Sequence, residues 1–248
     1  MEQAKIDRIN QLARKVKSGQ VLSPEELAER EELRAEYIQS VRTRMANMLD
    51  NTVIQYPDGR REKVRLKAQT ASAQPATENP EDRLTREALM PGGEPLCLPS
   101  GSTEETERQG AALARLYEAS AGGDDPLPTF VALYGDLGAG KTAFVRGFAS
   151  VLAPGVAVRS PTFALVNEYH APGRPPLFHF DMYRIGSEDE LYSMGYEDYL
   201  DRGICLCEWS ENIPYALPEA RVEVRIMKDA EQADRRTVTV CVKGDPLC

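Results

Sequence analysis

Apolar positions near the start of the chain recur at helical spacing. Ile6, Ile9, Ala13 and Val16 fall on one face of a helix predicted over residues 2–17. Arg14, Lys15 and Lys17 suit its C-terminus, and Gly19 lies just past the end. A second helix is predicted from Pro24 to about Asp50, with Leu33, Tyr37, Val41, Met45 and Met48 on one face. Its start is marked by Ser23 as N-cap, Pro24 at the first helical position and Glu26 closing a capping box. Two helices joined by a short turn make a helical hairpin. Asp58-Gly59 then signals a turn, with Val64 and Leu66 as a short strand. Such a hairpin buries little surface; a solvated hairpin with a small apolar seam and a docking module are both open readings. Beyond it the pattern lapses. Residues 68–94 are small, polar and Pro-containing, which predicts a disordered linker.

Pattern returns at Leu96-Cys97-Leu98, a short strand. Ser102 and Glu105 form a second capping box, opening a helix through Thr106, Ala111, Leu113, Ala114 and Tyr117 that ends at residues 122–126. An apolar strand from about Thr129 to Tyr134 follows, and then a helix through Phe144, Val145, Phe148, Ala149 and Leu152. Residues 164–169 and 177–181 read as strands, with a short helix at 187–193 capped by Ser187 and stopped by Gly195. Residues 204–209 form an apolar strand ending in an acid. Residues 222–226 and 237–242 alternate, predicting half-exposed edge strands of an antiparallel pair. With the glycine-rich loop Gly135-Asp136-Leu137-Gly138-Ala139-Gly140-Lys141-Thr142 standing between an apolar strand and its helix, the pattern predicts an α/β fold, a P-loop NTPase-like mixed sheet flanked by helices. The expected domains are a hairpin at 1–67, a flexible linker at 68–94 and a P-loop ATPase domain at 95–248.

Between the strand at Tyr134 and the following helix stands Gly135-Asp136-Leu137-Gly138-Ala139-Gly140-Lys141-Thr142, a complete G-x-x-x-x-G-K-T motif in the strand–loop–helix context where it binds nucleotide. The glycines let the backbone turn tightly and approach an anion without a Cβ in the way. Loop amides and the helix N-terminus make an anion nest. Lys141 can reach the β- and γ-phosphates and the Thr142 hydroxyl can ligate Mg²⁺. Such enzymes also need a carboxylate at the end of an apolar strand beside the loop strand, and two qualify, Asp181 and Glu208. One can hold the metal while the other orients the attacking water; which does which stays open. Ser160-Pro161-Thr162, about twenty residues after the loop, falls where γ-phosphate-sensing switch segments lie. Arg146, Arg159 and Arg184 are candidate charge stabilisers. His170 and His179 are too few for a metal site, and His179 in an apolar strand reads as packed. Trp209, the single tryptophan, reads as a packing residue or a contact surface.

Charge and cysteine usage narrow the partners. Residues 1–67 carry 14 Lys/Arg against 11 Asp/Glu, whereas the remainder carries 16 against 28. An acidic nucleotide-binding half is a poor nucleic-acid binder by itself, because phosphate contacts dominate that affinity. The five cysteines, Cys97, Cys205, Cys207, Cys241 and Cys248, are odd in number and lack C-x-x-C spacing, against a disulfide framework or a zinc site. Cys205 and Cys207 fall on one face of an apolar strand, as core residues. No run reaches the roughly 18–20 apolar residues of a membrane span, and the first residues hold no apolar signal region, so a cytoplasmic protein is expected.

Residues 96–244 resemble the bacterial TsaE (YjeE) family. The likeness rests on residues 133–142, Ser160-Pro161-Thr162-Phe163 and the following 164–169, His179-Phe180-Asp181-Met182-Tyr183-Arg184, and Cys207-Glu208-Trp209-Ser210-Glu211, in order and at the family's spacings. The resemblance implies a compact α/β domain binding ATP and Mg²⁺, with weak intrinsic ATPase activity. It implies work with TsaB and TsaD on the threonylcarbamoyl modification at adenosine 37 of tRNA. It places Thr142 and Glu208 at the metal, makes Asp181, Ser160 and Thr162 important for turnover, and puts Trp209 beside the site. Residues 1–67 resemble the YnzC-like family through Lys5-Ile6-Asp7-Arg8-Ile9-Asn10-Gln11-Leu12-Ala13 and Leu33-Arg34-Ala35-Glu36-Tyr37. That likeness implies a helical hairpin and no known chemistry. The TsaE family ordinarily lacks the hairpin and linker.

Other readings remain. A P-loop small-molecule kinase needs an Arg-rich lid, and no segment is an obvious one. A stand-alone GTPase-like switch needs Asn-Lys-x-Asp, which the chain lacks. A non-catalytic scaffold would leave the intact loop motif without purpose.

Overall fold

The structure, a computed structural model, describes residues 3–17, 20–50, 53–55, 61–63, 84–86, 89, 93–120, 126–232 and 234–244. The chain divides into two compact units, Met1–Thr77 with Tyr192–Met194 and Glu78–Leu191 with Gly195–Cys248. The Gly19, Asp58-Gly59, Val64 and Leu66 expectations, and most of the 68–94 linker, lie outside the described residues.

In the first unit α1 (Gln3–Lys17) and α2 (Pro24–Asp50) form the hairpin, and β1 (Val53–Gln55) pairs antiparallel with β2 (Arg61–Lys63). The Ser23 capping box closes in both directions: Ser23 Oγ accepts from the Glu26 amide and a Glu26 carboxylate oxygen accepts from the Ser23 amide, each at 3.2 Å. Ion pairs Lys5–Glu36, Arg8–Glu29 and Lys15–Glu26 join the helices. Their order, rising along α1 while falling along α2, fixes the pair as antiparallel. The buried positions of α1 are Ile9, Asn10, Leu12 and Ala13, while Val16 is exposed. In α2 Arg30, Arg34 and Tyr37 are buried. The predicted faces are therefore shifted, because arginine stems also cover apolar surface. The side chains of Val41, Met45 and Met48 lie outside the described residues.

The second unit is built on seven strands: β3 (Leu96–Ser100), β4 (Phe130–Tyr134), β5 (Val166–Tyr169), β6 (Leu177–Asp181), β7 (Ile204–Glu208), β8 (Arg221–Lys228) and β9 (Arg236–Lys243). Their order is β3-β9-β8-β4-β7-β6-β5. The four central strands β8, β4, β7 and β6 run parallel; at the margins β5 pairs antiparallel with β6, β9 with β8 and β3 with β9. Its helices are α3 (Thr103–Ser120), α4 (Lys141–Leu152) and α6 (Glu197–Leu200), with α5 (Glu188–Ser193) counted to it as far as Leu191. This is the mixed sheet flanked by helices that the pattern predicts.

Three features place the site. First, β4, β6 and β7 are buried at every position, as strands covered on both faces must be. Second, α3 and α4 touch backbone to backbone. A Cβ on Gly110 would stand 2.1 Å from the Phe144 carbonyl oxygen, and one on Gly147 1.8 Å from that of Glu107. Third, register sorts the side chains. Phe178 and Phe180 pair with Cys205 and Cys207, and Leu133, Glu208 and Asp181 align across β4, β7 and β6. Because side chains alternate, His179, Asp181, Leu206 and Glu208 share one face. Leu206 and Leu133 join Phe144 and Phe148 of α4 in the core there. Phe178 and Phe180 meet Tyr199 edge-on across the other face.

Two expectations change. The alternating strands β8 and β9 are interior, since β8 lies between β4 and β9, and β9 between β8 and β3. Val222, Val224 and Ile226 and then Val238, Val240 and Val242 are buried while their neighbours are not. Alternation here records a sheet covered on one face, not an edge. And Leu84 and Leu89, inside the expected linker, are buried in the core of this unit, so packing resumes before Leu96. Burial of Cys205 raises its thiol to about 12, and that of Cys207 is pushed higher still, as befits core residues.

Candidate nucleotide site

The G-x-x-x-x-G-K-T loop leaves the carboxyl end of β4 and enters α4. Gly135, Gly138 and Gly140 all have positive φ, at 134°, 72° and 117°. Gly135 is also confined, because a Cβ there would sit 2.3 Å from the Ile226 carbonyl oxygen. The Ala139 amide donates to the Asp136 carbonyl at 3.1 Å, closing the turn. Lys228 Nζ donates to Leu137 O and Arg236 Nε to Ala139 O, each at 2.8 Å. Two cations from β8 and β9 thus tie down outer loop carbonyls.

Lys141 is 4% exposed. Its ammonium donates to the Gly135 carbonyl and, at 3.1 Å, to that of Asp136. It also lies 3.7 Å from the centre of the Trp209 ring. Burial pushes the Lys141 pKa down, while the carboxylates of Glu208, Glu211, Asp181 and Asp136 oppose that shift. Trp209 follows β7 with φ 61°, an uncommon conformation for a bulky residue. Tyr183 packs on it at 4.8 Å between ring centres. Glu211 Oε1 accepts from the Gly135 amide at 3.4 Å.

Two carboxylates stand on the α4 face, each almost fully buried: Asp181 is 2% exposed and Glu208 3%. Glu208 Oε1 accepts from Thr142 Oγ1 at 2.7 Å, so strand-end acid and loop threonine meet. His179 Nε2 lies 2.8 Å from the same oxygen. Asp181 gathers the switch-like segment: its Oδ2 accepts from Ser160 Oγ at 2.7 Å and from Thr162 Oγ1, and its Oδ1 accepts from the Tyr183 amide at 3.0 Å. The two acids thus have different partners, one facing the loop and one the Ser160–Thr162 hydroxyls.

The sequence candidates therefore converge at the carboxyl ends of β4, β6 and β7, the crevice where open α/β sheets bind ligands. Asp136 and Leu137 are exposed, and Ala139 is buried. The arginines do not join them through any described side-chain contact: Arg146 pairs with Glu107, Arg184 lies over the Phe163 ring, and Arg159 is exposed. Sequence reading missed Glu211, Lys228, Arg236 and the polar partner of His179; only the basic ends of β8 and β9 left any signal. The donors suit a magnesium nucleotide. Mg²⁺ takes one or two protein oxygens plus phosphates and water, and Thr142 with Glu208 is such a pair. No cluster of three or more His, Cys, Asp or Glu suited to a metal occurs among the described residues. Nor is any helix among them long and apolar enough to cross a membrane.

Comparison with known proteins finds two families along the chain. Residues 100–238 match the family described as Threonylcarbamoyl adenosine biosynthesis protein TsaE. Residues 4–64 match one described as Bacterial protein of unknown function (DUF896). The tRNA threonylcarbamoyladenosine biosynthesis protein TsaE of Bacillus subtilis is 40% identical over 143 residues, 57% of this chain and 82% of that protein. The protein of that name from Treponema pallidum is 35% identical over 136 residues, 54% of this chain and 93% of its own length. The crystal structure of Bacillus subtilis YdiB aligns with a TM-score of 0.44 at 32% identity, covering 61% of this chain and 87% of that one. With more than half of its length matched, and with relatives of this identity covered over most of theirs, the chain belongs to the TsaE family.

Proposed function

We propose that this chain is the ATPase subunit of tRNA threonylcarbamoyladenosine biosynthesis, hydrolysing ATP with Mg²⁺ in a complex with TsaB- and TsaD-type proteins. The observation that carries the reading is the 2.7 Å hydrogen bond from Thr142 to Glu208 beside a buried Lys141. It joins the loop and a strand-end acid in the arrangement that phosphoryl transfer uses.

Residues 135–140 wrap the phosphates with their amides. Lys141 exchanges its carbonyl partners for β- and γ-phosphate oxygens. Thr142 and Glu208 would hold Mg²⁺, which when bound would supply neutralisation of phosphate charge. Asp181, oriented by the Tyr183 amide, aligns the attacking water, and Ser160 and Thr162 couple that acid to the incoming γ-phosphate. The water oxygen bonds to the γ-phosphorus as the bond to the ADP oxygen breaks; both protons of the water leave with the phosphate product. Trp209 packs beside Lys141 and walls off the site. The acidic balance of residues 68–248 leaves tRNA handling to the partner chains.

The test is ATP turnover by the full chain alone and with TsaB and TsaD, with and without residues 1–94. Slow turnover alone and faster turnover with the partners is expected. Efficient phosphorylation of a metabolite, or failure of the partners to bind in the presence of ATP, would overturn the reading. Glu208→Gln should weaken Mg²⁺ binding, whereas Asp181→Asn should slow turnover at unchanged Mg²⁺ affinity. Equal Mg²⁺ affinity in the two variants would remove Glu208 from the metal.

A further inference from the structure

His179 is fully buried on β6, two residues before Asp181, on the face that α4 covers. Its Nε2 lies 2.8 Å from Glu208 Oε1. Its Nδ1 is buried with no hydrogen-bond partner. These facts fix the tautomer. A proton on Nδ1 would leave a buried N–H unpaired, and one on Nε2 points straight at a carboxylate oxygen. The ring is a donor to Glu208.

Glu208 Oε1 therefore accepts two bonds, one from the loop hydroxyl of Thr142 and one from His179. No hydrogen bond reaches Oε2 among the described residues. A carboxylate anchored at one oxygen by two donors cannot rotate, so the other oxygen keeps a fixed direction. A histidine that merely filled the core would not need its one polar contact to be the acid that also meets the loop.

We infer that His179 is a positioning residue for the metal-binding carboxylate, orienting Glu208 through the Nε2–H bond. The inference rests on the magnesium-ATPase reading above. Outer partners of metal ligands commonly change metal affinity by about 10–100-fold when removed.

The experiment uses the full chain and three variants. In His179→Gln the side-chain amide reaches the place of Nε2, in His179→Asn it falls short, and His179→Leu has no donor. Fluorescence of mant-ADP is titrated with MgCl₂, then mant-ADP affinity is measured in EDTA and unfolding is followed in urea. The half-saturating Mg²⁺ concentration should rise on the order of tenfold in His179→Leu and His179→Asn. It should stay near the original in His179→Gln, with mant-ADP affinity in EDTA within about twofold throughout. If His179→Leu does not fold, the Gln and Asn pair decides. Equal Mg²⁺ dependence in those two, or an equal fall in EDTA affinity, would reduce His179 to a packing residue. A wild-type chain that binds mant-ADP with no response to Mg²⁺ would instead overturn the ATPase reading itself.

Discussion

In the hairpin, ionic contacts are strung along two helices: Lys5–Glu36, Arg8–Glu29 and Lys15–Glu26 lie at intervals over its length. In the sheet unit, Lys141, Asp181 and Glu208 are gathered at the ends of three strands and nearly sealed from water. The same kinds of group do different work in the two places. Exposed pairs contribute little stability, because water and salt screen them, and mainly select the antiparallel pairing. Buried groups are costly to desolvate and persist only where hydrogen bonds satisfy them. Glu208 is so held by Thr142 and His179, and Asp181 by Ser160, Thr162 and Tyr183. Concentrating that cost in one place marks a site, whereas dispersing charge marks a solvated surface.

The largest expected effect is Lys141→Ala. ATP turnover should fall by about 10²–10³-fold, the loss typical of one preorganised transition-state donor, while the hairpin stays intact. Steady-state kinetics with circular dichroism checks both halves, and unchanged turnover would remove the lysine from the chemistry. Next is Gly147→Ala. Its Cβ would meet the Glu107 backbone 1.8 Å away, so α3 and α4 must separate, at a cost of about 1–3 kcal/mol. Urea unfolding measures it, and a neutral result would show that the helices slide freely. The smallest effect is acidification of the hairpin. Lys15 and the Ser23 amide hold the Glu26 carboxyl below its usual 4.5, and Arg8 does the same for Glu29. A depressed carboxyl stabilises the fold above its unfolded pKa, and that stabilisation is lost as pH falls through the folded pKa. Amide shifts in the first turns of α2 should therefore begin to move only below pH 4.5; movement nearer neutrality would mean that the pairs do not form in solution.

Much of this was legible locally. Ser23, Ser102 and Ser187 announce helix starts, and in each case the side-chain hydroxyl accepts from the amide three residues on. The loop motif and the acids at the ends of β6 and β7 were equally plain, because strand ends and glycine turns have short-range signatures. His179 is packed as its apolar strand predicts, but its bond to Glu208 was not legible, because periodicity reports that a residue is inside, not what it touches there. The buried face of α2 was displaced for a related reason: Arg30 and Arg34 bury their stems, and an apolar pattern cannot register them.

The sequence by itself determined the helices with their caps, the apolar strands, the phosphate-binding motif and the candidate acids. Each follows from a spacing of a few residues. Only the tertiary structure decided that β8 and β9 lie inside the sheet and that Leu84 and Leu89 belong to the core. It alone brought Lys228 and Arg236 to the loop carbonyls, and His179 with Thr142 to one oxygen of Glu208. Those outcomes depend on strand pairing between distant segments, and alternation along one strand specifies faces but not neighbours.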